Sequence, residues 1–195
     1  MKKRMLILSF FTLLWGYLYA QDGLPSFNAD RLGINKNGML VLGSWALVNM
    51  ATSPVFASRS SGTEKAFHQM NGYWNTVNLV IASFGYYAAV SGDTGLTLME
   101  TLKEQQRMEK ILLFNTALDL GYITGGFLLK ERSRAAEKHK DRLKGFGNSL
   151  ILQGGFLFVF DLTLYLIHQN HSEALFTLVD HLAFSPTGFS LTWKI

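Results

Sequence analysis

Four long stretches of the chain are apolar and nearly free of charge, with short polar segments between them. Residues 38–58 contain no charged side chain, and residues 66–92 contain no Asp, Glu, Lys or Arg. Residues 111–129 contain one charged side chain, and residues 145–170 contain one besides a histidine. A bilayer core about 30 Å thick needs about 20 helical residues. The pattern predicts an all-α fold, a four-helix transmembrane bundle with spans at about 38–58, 72–92, 110–129 and 148–168.

The N-terminus has the pattern of a targeting segment. Lys2, Lys3 and Arg4 precede the apolar run "MLILSFFTLLWGYLYA", which ends at Ala20. A basic start, an apolar run and a small residue before a polar step are typical of a signal peptide, here residues 1–20. Leu18 is larger than the small residue preferred three positions before a cut, so an uncleaved anchor helix is the alternative. In both cases residue 21 lies outside the cytoplasm and begins a membrane domain over 21–170.

The charge distribution indicates an orientation. The chain has 195 residues, enough for one domain, with 48% hydrophobic and 16% charged residues and a net charge of +4. Seven of its 18 Lys and Arg lie in 130–144, whereas 93–110 carries three beside four acidic residues. The positive-inside rule places 130–144 in the cytoplasm and both termini outside, in a bacterial inner membrane. The basic segment lacks interleaved aromatic residues, so the lipid bilayer is the expected partner and nucleic acid is not.

Polar side chains form stripes on the predicted helices. His68, Asn71, Asn75 and Asn78 fall on one helical face, because residues three and four positions apart are neighbours. In hydrocarbon such a face must point inward. The other helices carry similar stripes. The predicted polar core, an ion or proton path in one hypothesis, comprises Asn49, His68, Asn71, Asn75, Asn78, Asn115, Asp119, Tyr122, Gln153, Asp161 and Tyr165.

The two intramembrane aspartates are the most unusual members of this set. Asp at a helix centre costs roughly 2.5–3.5 kcal/mol on insertion scales, and no span contains a Lys or Arg to pair with Asp119 or Asp161. Two hypotheses follow. In the first, the carboxyl groups are protonated and hold the bundle together by hydrogen bonds. In the second, they bind a cation or relay protons.

Signatures of enzyme and cofactor chemistry are missing. The chain has no cysteine, hence no disulfide and no thiolate metal site, and it has no Walker loop, GxSxG or HExxH. Bis-histidine haem is disfavoured because His68 and His168 lie at opposite ends of the bundle. His168, His171 and His181 are expected to be solvated interfacial side chains rather than a metal site. We therefore expect no enzyme activity, no metal and no cofactor; a redox enzyme binding haem or quinone is the least favoured hypothesis.

The C-terminal tail, residues 171–195, has a different pattern. Phe189, Leu191, Trp193 and Ile195 alternate with polar residues, a period typical of a strand. A single strand cannot form a membrane barrel. We expect a short strand-like segment that lies at the membrane interface or binds a partner.

Several helix motifs resemble those of a known family. They are "LGSWALVNM" (42–50), "FHQMNGYWNTVNLVIA" (67–82), "NTALDLGYITGGFLL" (115–129) and "LQGGFLFVFD" (152–161). They are similar to those of small membrane proteins from Bacteroidota that are grouped as a domain of unknown function. The likeness covers about 27–170. It implies a bacterial multi-pass protein and assigns no activity.

Together these observations favour a non-enzymatic membrane protein, structural or accessory to an envelope assembly, acting as a monomer, as a homodimer or with an envelope protein partner. The alternative is a small ion- or proton-coupled transporter. In that hypothesis Asp119 and Asp161 carry the coupling.

Overall fold

The computed structural model consists of four long helices. It describes the backbone of residues 2–180, 184–185 and 188–189 and the side chains of residues 23–175. The helices are α1 (Lys2–Arg59), α2 (Gly62–Val90), α3 (Leu98–Ala135) and α4 (Lys140–Asp180). Two two-residue strands, β1 (Phe184–Ser185) and β2 (Gly188–Phe189), pair antiparallel after α4. The predicted all-α fold with four helices is confirmed. Leu191, Trp193, Ile195 and His181 lie outside the described residues.

The helices pack as two antiparallel hairpins. The α1–α2 hairpin and the α3–α4 hairpin are joined mainly through α2 against α4, with a smaller contact between α1 and α4. Within the described part of the chain, the backbones of α2 and α3 stay apart. The bundle is therefore open along the groove between α2 and α3.

The turns define the two ends of the bundle. The α1–α2 and α3–α4 turns meet at one end, where the Thr63 hydroxyl donates to Asp141 at 2.6 Å. We call it the basic end, because it carries the Lys- and Arg-rich segment 130–144. The α2–α3 turn forms the opposite end. There Thr97 and Glu100 form a capping box that starts α3. The hydrogen bonds from Thr97 hold the pKa of the exposed Glu100 carboxyl below its ordinary value.

The surface of the bundle is apolar and its interior is polar. Each helix exposes large apolar side chains, for example Val48, Phe84, Phe127 and Val159, which are 58–73% exposed. Among the described residues, buried polar side chains outnumber buried apolar ones. A water-soluble domain has the opposite arrangement. In the part of the chain whose side chains the structure describes, three helical segments are long and apolar enough to cross a membrane: Gly23–Arg59, Leu98–Ala135 and Lys140–Leu175. The predicted span in α2 is not among them, because its asparagines and tyrosines lower the mean hydropathy.

Close approach of α3 and α4 depends on glycine. A Cβ atom at Gly126 would lie 2.7 Å from the carbonyl oxygen of Gly147 and 2.7 Å from Cγ1 of Ile151. Gly125, the preceding residue, faces open space, with nothing within 4 Å of a built Cβ. Of these two adjacent glycines, only Gly126 is required by helix packing.

The substitution Gly126→Ala is expected to destabilise the bundle, because the added methyl group must push α3 and α4 apart. Overpacking of this kind costs about 1–3 kcal/mol. Gly125→Ala is the matched control, and it should be neutral or slightly stabilising because Ala favours helix. The free energy of unfolding is measured by SDS titration in mixed micelles. Equal effects at the two positions would contradict the packing described here.

Candidate functional site

Buried polar side chains lie in three layers along the bundle. The first layer is near the basic end and joins α1, α2 and α4. The second is a pair of carboxyl groups from α3 and α4 near the middle. The third lies towards the α2–α3 turn and joins α1, α3 and α4.

The first layer is organised by Gln153 of α4, which is fully buried. The indole Nε1 of Trp45 in α1 donates to Gln153 Oε1 at 2.9 Å. Gln153 Nε2 donates to Asn71 Oδ1 of α2 at 3.2 Å and contacts Asn49 Oδ1 of α1 at 3.5 Å. One side chain thus connects three helices. Its amide offers both a donor and an acceptor, as a network of this kind requires.

The asparagines of α2 form a ladder on the inner face of the helix. Asn71, Asn75 and Asn78 are all buried. Asn75 Nδ2 donates to the carbonyl of Asn71 at 2.8 Å, and Asn78 Nδ2 contacts Asn75 Oδ1 at 3.4 Å. The hydroxyl of Ser149 also donates to Asn71 Oδ1. The structure therefore places these three side chains in the interior, as their spacing predicted.

Two predicted members of the polar core stand apart from these layers. His68 is half-buried; its ring stacks on Phe56 and packs edge-on against Phe67, with centroids 5.1 and 5.2 Å away. Tyr165 is half-buried. No hydrogen bond in the described part of the chain joins either side chain to the three layers.

The second layer is the pair Asp119 and Asp161. Asp119 is 2% exposed and Asp161 is 7% exposed. Their carboxyl groups lie within hydrogen-bonding range of each other, and the Asn115 side chain contacts Asp161. Two carboxyl groups can bond to each other only if one carries a proton. Oδ2 of Asp119 receives no hydrogen bond from a protein donor. In the described residues no third Asp, Glu or His joins the pair to form a metal site.

The pair lines a cavity of about 320 Å³ in the groove between α2 and α3. Most of its wall is apolar, with Met, Leu, Ile and Val side chains from all four helices. Its polar lining consists of Trp74, Asn78, Asn115, Asp119, Tyr122 and Asp161. The Trp74 ring packs edge-on against Tyr122, with centroids 4.7 Å apart. The buried Nε1 of Trp74 has no acceptor.

The third layer was not predicted from the sequence. Asn28, Arg31 and Asn35 of α1 are buried, and so are Thr101 and Gln105 of α3. Asn28 Nδ2 donates to the Thr101 hydroxyl at 2.8 Å, and Arg31 contacts Asn28 Oδ1 at 3.3 Å. The three α1 residues are spaced by three and four, which was the available signal, but they precede the first predicted span, 38–58.

The predicted solvated state of His168 is wrong. His168 has no exposed surface, and its Nε2 lies 2.8 Å from Asn35 Oδ1 in the third layer. Gln105 Nε2 donates to the His168 carbonyl at 2.8 Å. His171 stacks on Phe27 with centroids 4.0 Å apart. The α1 segment that precedes the predicted first span contacts both histidines; it buries His168 completely and leaves His171 half-buried.

The polar interior is not continuous over the whole length of the bundle. Asn78 contacts the α2 ladder and also lines the central cavity, so the first and second layers are connected. Between the second and third layers Leu112 of α3 and Leu164 of α4 are buried, and the hydroxyl of the buried Thr116 donates to the Leu112 carbonyl of its own helix. In the described residues no hydrogen bond between side chains joins the second layer to the third.

Replacing Asp119 separates the need for a proton from the need for a polar group. Asp119→Asn supplies an N–H donor to Asp161, so the apparent melting temperature should stay within a few degrees of the original. Asp119→Leu removes that partner and should cost roughly 1–3 kcal/mol, the usual cost of an unsatisfied buried group. Thermal unfolding in detergent measures both. A large loss with Asn would show that the charge itself is needed.

Comparison with known proteins gives one match. The model of a family of unknown function, DUF6992, matches residues 41–162, more than half of the chain. No curated protein and no solved structure matches the chain. The matched segment contains the first and second polar layers. The α1 side of the third layer and His168 lie outside it, and the match is shorter than the expected 27–170.

Proposed function

We propose, for a chain that belongs to DUF6992, a family of unknown function, that it is an integral membrane protein with four spans and no enzymatic activity. It serves as a structural or accessory component of a bacterial envelope, in the inner membrane of a member of the Bacteroidota. Residues 1–20 direct export as a signal peptide. It acts alone, as a homodimer or with an envelope protein.

The observation that carries this proposal is the reversed distribution of side chains. Phe84 of α2 is 73% exposed, whereas Asn75 on the same helix is fully buried. Exposing large apolar side chains on all four helices is costly in water and favourable in lipid. The polar layers satisfy one another through hydrogen bonds between helices, which holds a bundle together where lipid surrounds it. Although α2 is not among the three segments that are apolar enough to cross a membrane, its asparagines face the interior, and its outer face suits lipid.

The orientation is tested by labelling single cysteines. The natural chain has none, so each introduced cysteine is the only reactive thiol. Glu137→Cys, in the α3–α4 turn, should react with a membrane-impermeant maleimide only after the inner membrane is permeabilised. Asp93→Cys, in the α2–α3 turn, should react in spheroplasts without permeabilisation. Reaction of both cysteines in intact spheroplasts would contradict the four-span topology.

A small ion- or proton-coupled transporter is the second candidate. It is favoured by the contact between Asp119 and Asp161 beside a cavity that also connects to the α2 ladder. Intramembrane carboxyl groups of this kind are common in proton relays. Proteoliposomes containing a pH-sensitive dye test this candidate. Proton flux that occurs with the original protein and is lost in Asp161→Asn would support transport. Flux no greater than that of empty vesicles would rule out proton transport and favour the accessory role.

A further inference from the structure

The basic end of the bundle contains an open depression at the place where the first turns of α2 and α4 meet. Its volume is about 430 Å³, which is in the range of small-molecule sites. Lys65 of α2 and Lys140 and Arg142 of α4 line it, together with the carboxylates of Glu137 and Asp141. We call it the basic depression, because three cationic side chains from two helices surround the same space.

The carboxylates at the basic depression do not form ion pairs with its cations. In the described part of the chain, no Asp or Glu oxygen lies within ion-pairing distance of Lys65, Lys140 or Arg142. The Asp141 carboxylate is turned towards the start of α2, where it accepts from the Thr63 hydroxyl at 2.6 Å. The three cations are therefore free to bind an anion from outside the chain.

In the proposed topology the basic depression lies at the level of the lipid headgroups. The predicted spans begin at residue 72 in α2 and residue 148 in α4, so Lys65 and Arg142 precede them by seven and six residues, about 10 Å of helix. The headgroup layer is roughly 5–8 Å deep, and long cationic side chains extend back into it. Arg142 extends in this direction, because its guanidinium carbon lies 5.1 Å from the ring centroid of Phe146, one turn closer to the hydrocarbon.

The anion that this position favours is a lipid phosphate. Guanidinium and ammonium groups bind phosphate oxygens through charge-assisted hydrogen bonds. Anionic lipids of the cytoplasmic leaflet attract basic segments that lie next to a membrane span. A zwitterionic lipid carries its own ammonium group, which competes with Lys and Arg for the same phosphate. The basic depression therefore favours a headgroup with a net negative charge.

We propose that the basic depression binds the phosphate headgroup of an anionic phospholipid from the cytoplasmic leaflet, through Lys65, Lys140 and Arg142. This inference rests on the proposed membrane location and adds a lipid partner to it. The positive-inside pattern depends on the total charge of a segment, whereas this site depends on three particular positions. A lipid bound there connects α2 to α4 at the end where the two hairpins meet, and so stabilises the bundle.

The test compares two lipids that differ only in the headgroup, dioleoyl phosphatidylglycerol and dioleoyl phosphatidylcholine. The apparent melting temperature of the purified full-length protein is measured in detergent micelles that contain each lipid, because binding to the native state raises stability. Phosphatidylglycerol should raise it by several degrees more than phosphatidylcholine, and soluble glycerol 3-phosphate should leave it unchanged. Equal shifts with the two lipids would overturn recognition of the negative charge, and no shift with either would overturn the site. A shift with glycerol 3-phosphate as large as that with phosphatidylglycerol would overturn the lipid as the source of the phosphate.

Two double variants that remove equal charge locate the effect. Lys65→Gln combined with Arg142→Gln removes two cations that line the basic depression, and it should abolish most of the phosphatidylglycerol shift. Lys138→Gln combined with Arg132→Gln removes two cations of the basic end that do not line it, and it should preserve the shift. All four side chains are exposed, so both variants should fold and melt near the original temperature in phosphatidylcholine. An equal loss of the shift in the two variants would overturn the site, because total charge alone would then attract the lipid.

Failure of this inference is distinguishable from failure of the proposed topology. If the cysteines at positions 93 and 137 label as expected but phosphatidylglycerol does not shift the melting temperature, the topology stands and the lipid site falls. If both cysteines label in intact spheroplasts but the shift still requires Lys65 and Arg142, the site stands, and its place in the cytoplasmic leaflet falls with the topology. The thermal shift is read on purified protein and does not depend on the labelling result.

Discussion

Gln153→Ala is expected to lower the free energy of unfolding by about 2–4 kcal/mol, one of the two largest effects of a single substitution here. The change removes the acceptor of Trp45 Nε1 and a donor to Asn71 Oδ1. It also leaves a cavity at a fully buried position where three helices meet. Hydrogen bonds between membrane helices average about 0.6 kcal/mol each, so most of the cost comes from unpaired groups and lost packing.

SDS titration in mixed micelles measures this loss. Gln69→Ala is the control, because Gln69 is exposed on α2 and has the same side chain. We expect the control to change the free energy of unfolding by less than about 0.5 kcal/mol. If Gln153→Ala were as mild as the control, Gln153 would not be the connection between α1, α2 and α4.

His168→Ala is the second substitution with a large expected effect. His168 Nε2 donates to Asn35 Oδ1, so the substitution leaves that oxygen buried without a donor and leaves a cavity in the third layer. The expected loss is about 2–4 kcal/mol. His168→Gln retains an N–H donor and should recover part of the loss.

The control for this prediction is His139→Asn in the α3–α4 turn. His139 has a φ of 60°, a backbone conformation that asparagine adopts readily, so the turn should be retained. Thermal unfolding of the three variants in detergent gives the comparison. If His168→Ala unfolds at the same temperature as His139→Asn, His168 contributes nothing to the third layer. That result would support the solvated state of His168 that was predicted from the sequence.

The four helices, the asparagines of α2 and the two aspartates of the candidate site could be predicted from the sequence. Asn71, Asn75 and Asn78 share a face because of helical periodicity alone, and the physics of lipid requires that face to point inward. Asp119 and Asp161 were recognisable because each interrupts an otherwise apolar run. For these residues the local pattern was sufficient, because one rule determined the direction of the side chain.

The remaining features depend on how the helices pack. Trp45 contacts Gln153 across 108 positions of sequence, and no local pattern indicates that register. The cavity exists because the backbones of α2 and α3 stay apart, which follows from the arrangement of all four helices. Asn28, Arg31 and Asn35 lie before the first predicted span, 38–58, so they were not included in the predicted polar core. The structure buries them, because α1 extends to the N-terminal side of that span and contacts α3 and α4 there.

The central claim is that the exposed apolar faces contact lipid while the polar layers are enclosed. Spin labels on single cysteines test it most directly, in protein reconstituted into liposomes. Labels at Val48, Phe84, Phe127 and Val159, one on each helix, should collide readily with oxygen, which concentrates in lipid, and rarely with a water-soluble nickel chelate. High accessibility to the nickel chelate at all four positions would contradict the account, because it would place these faces in water.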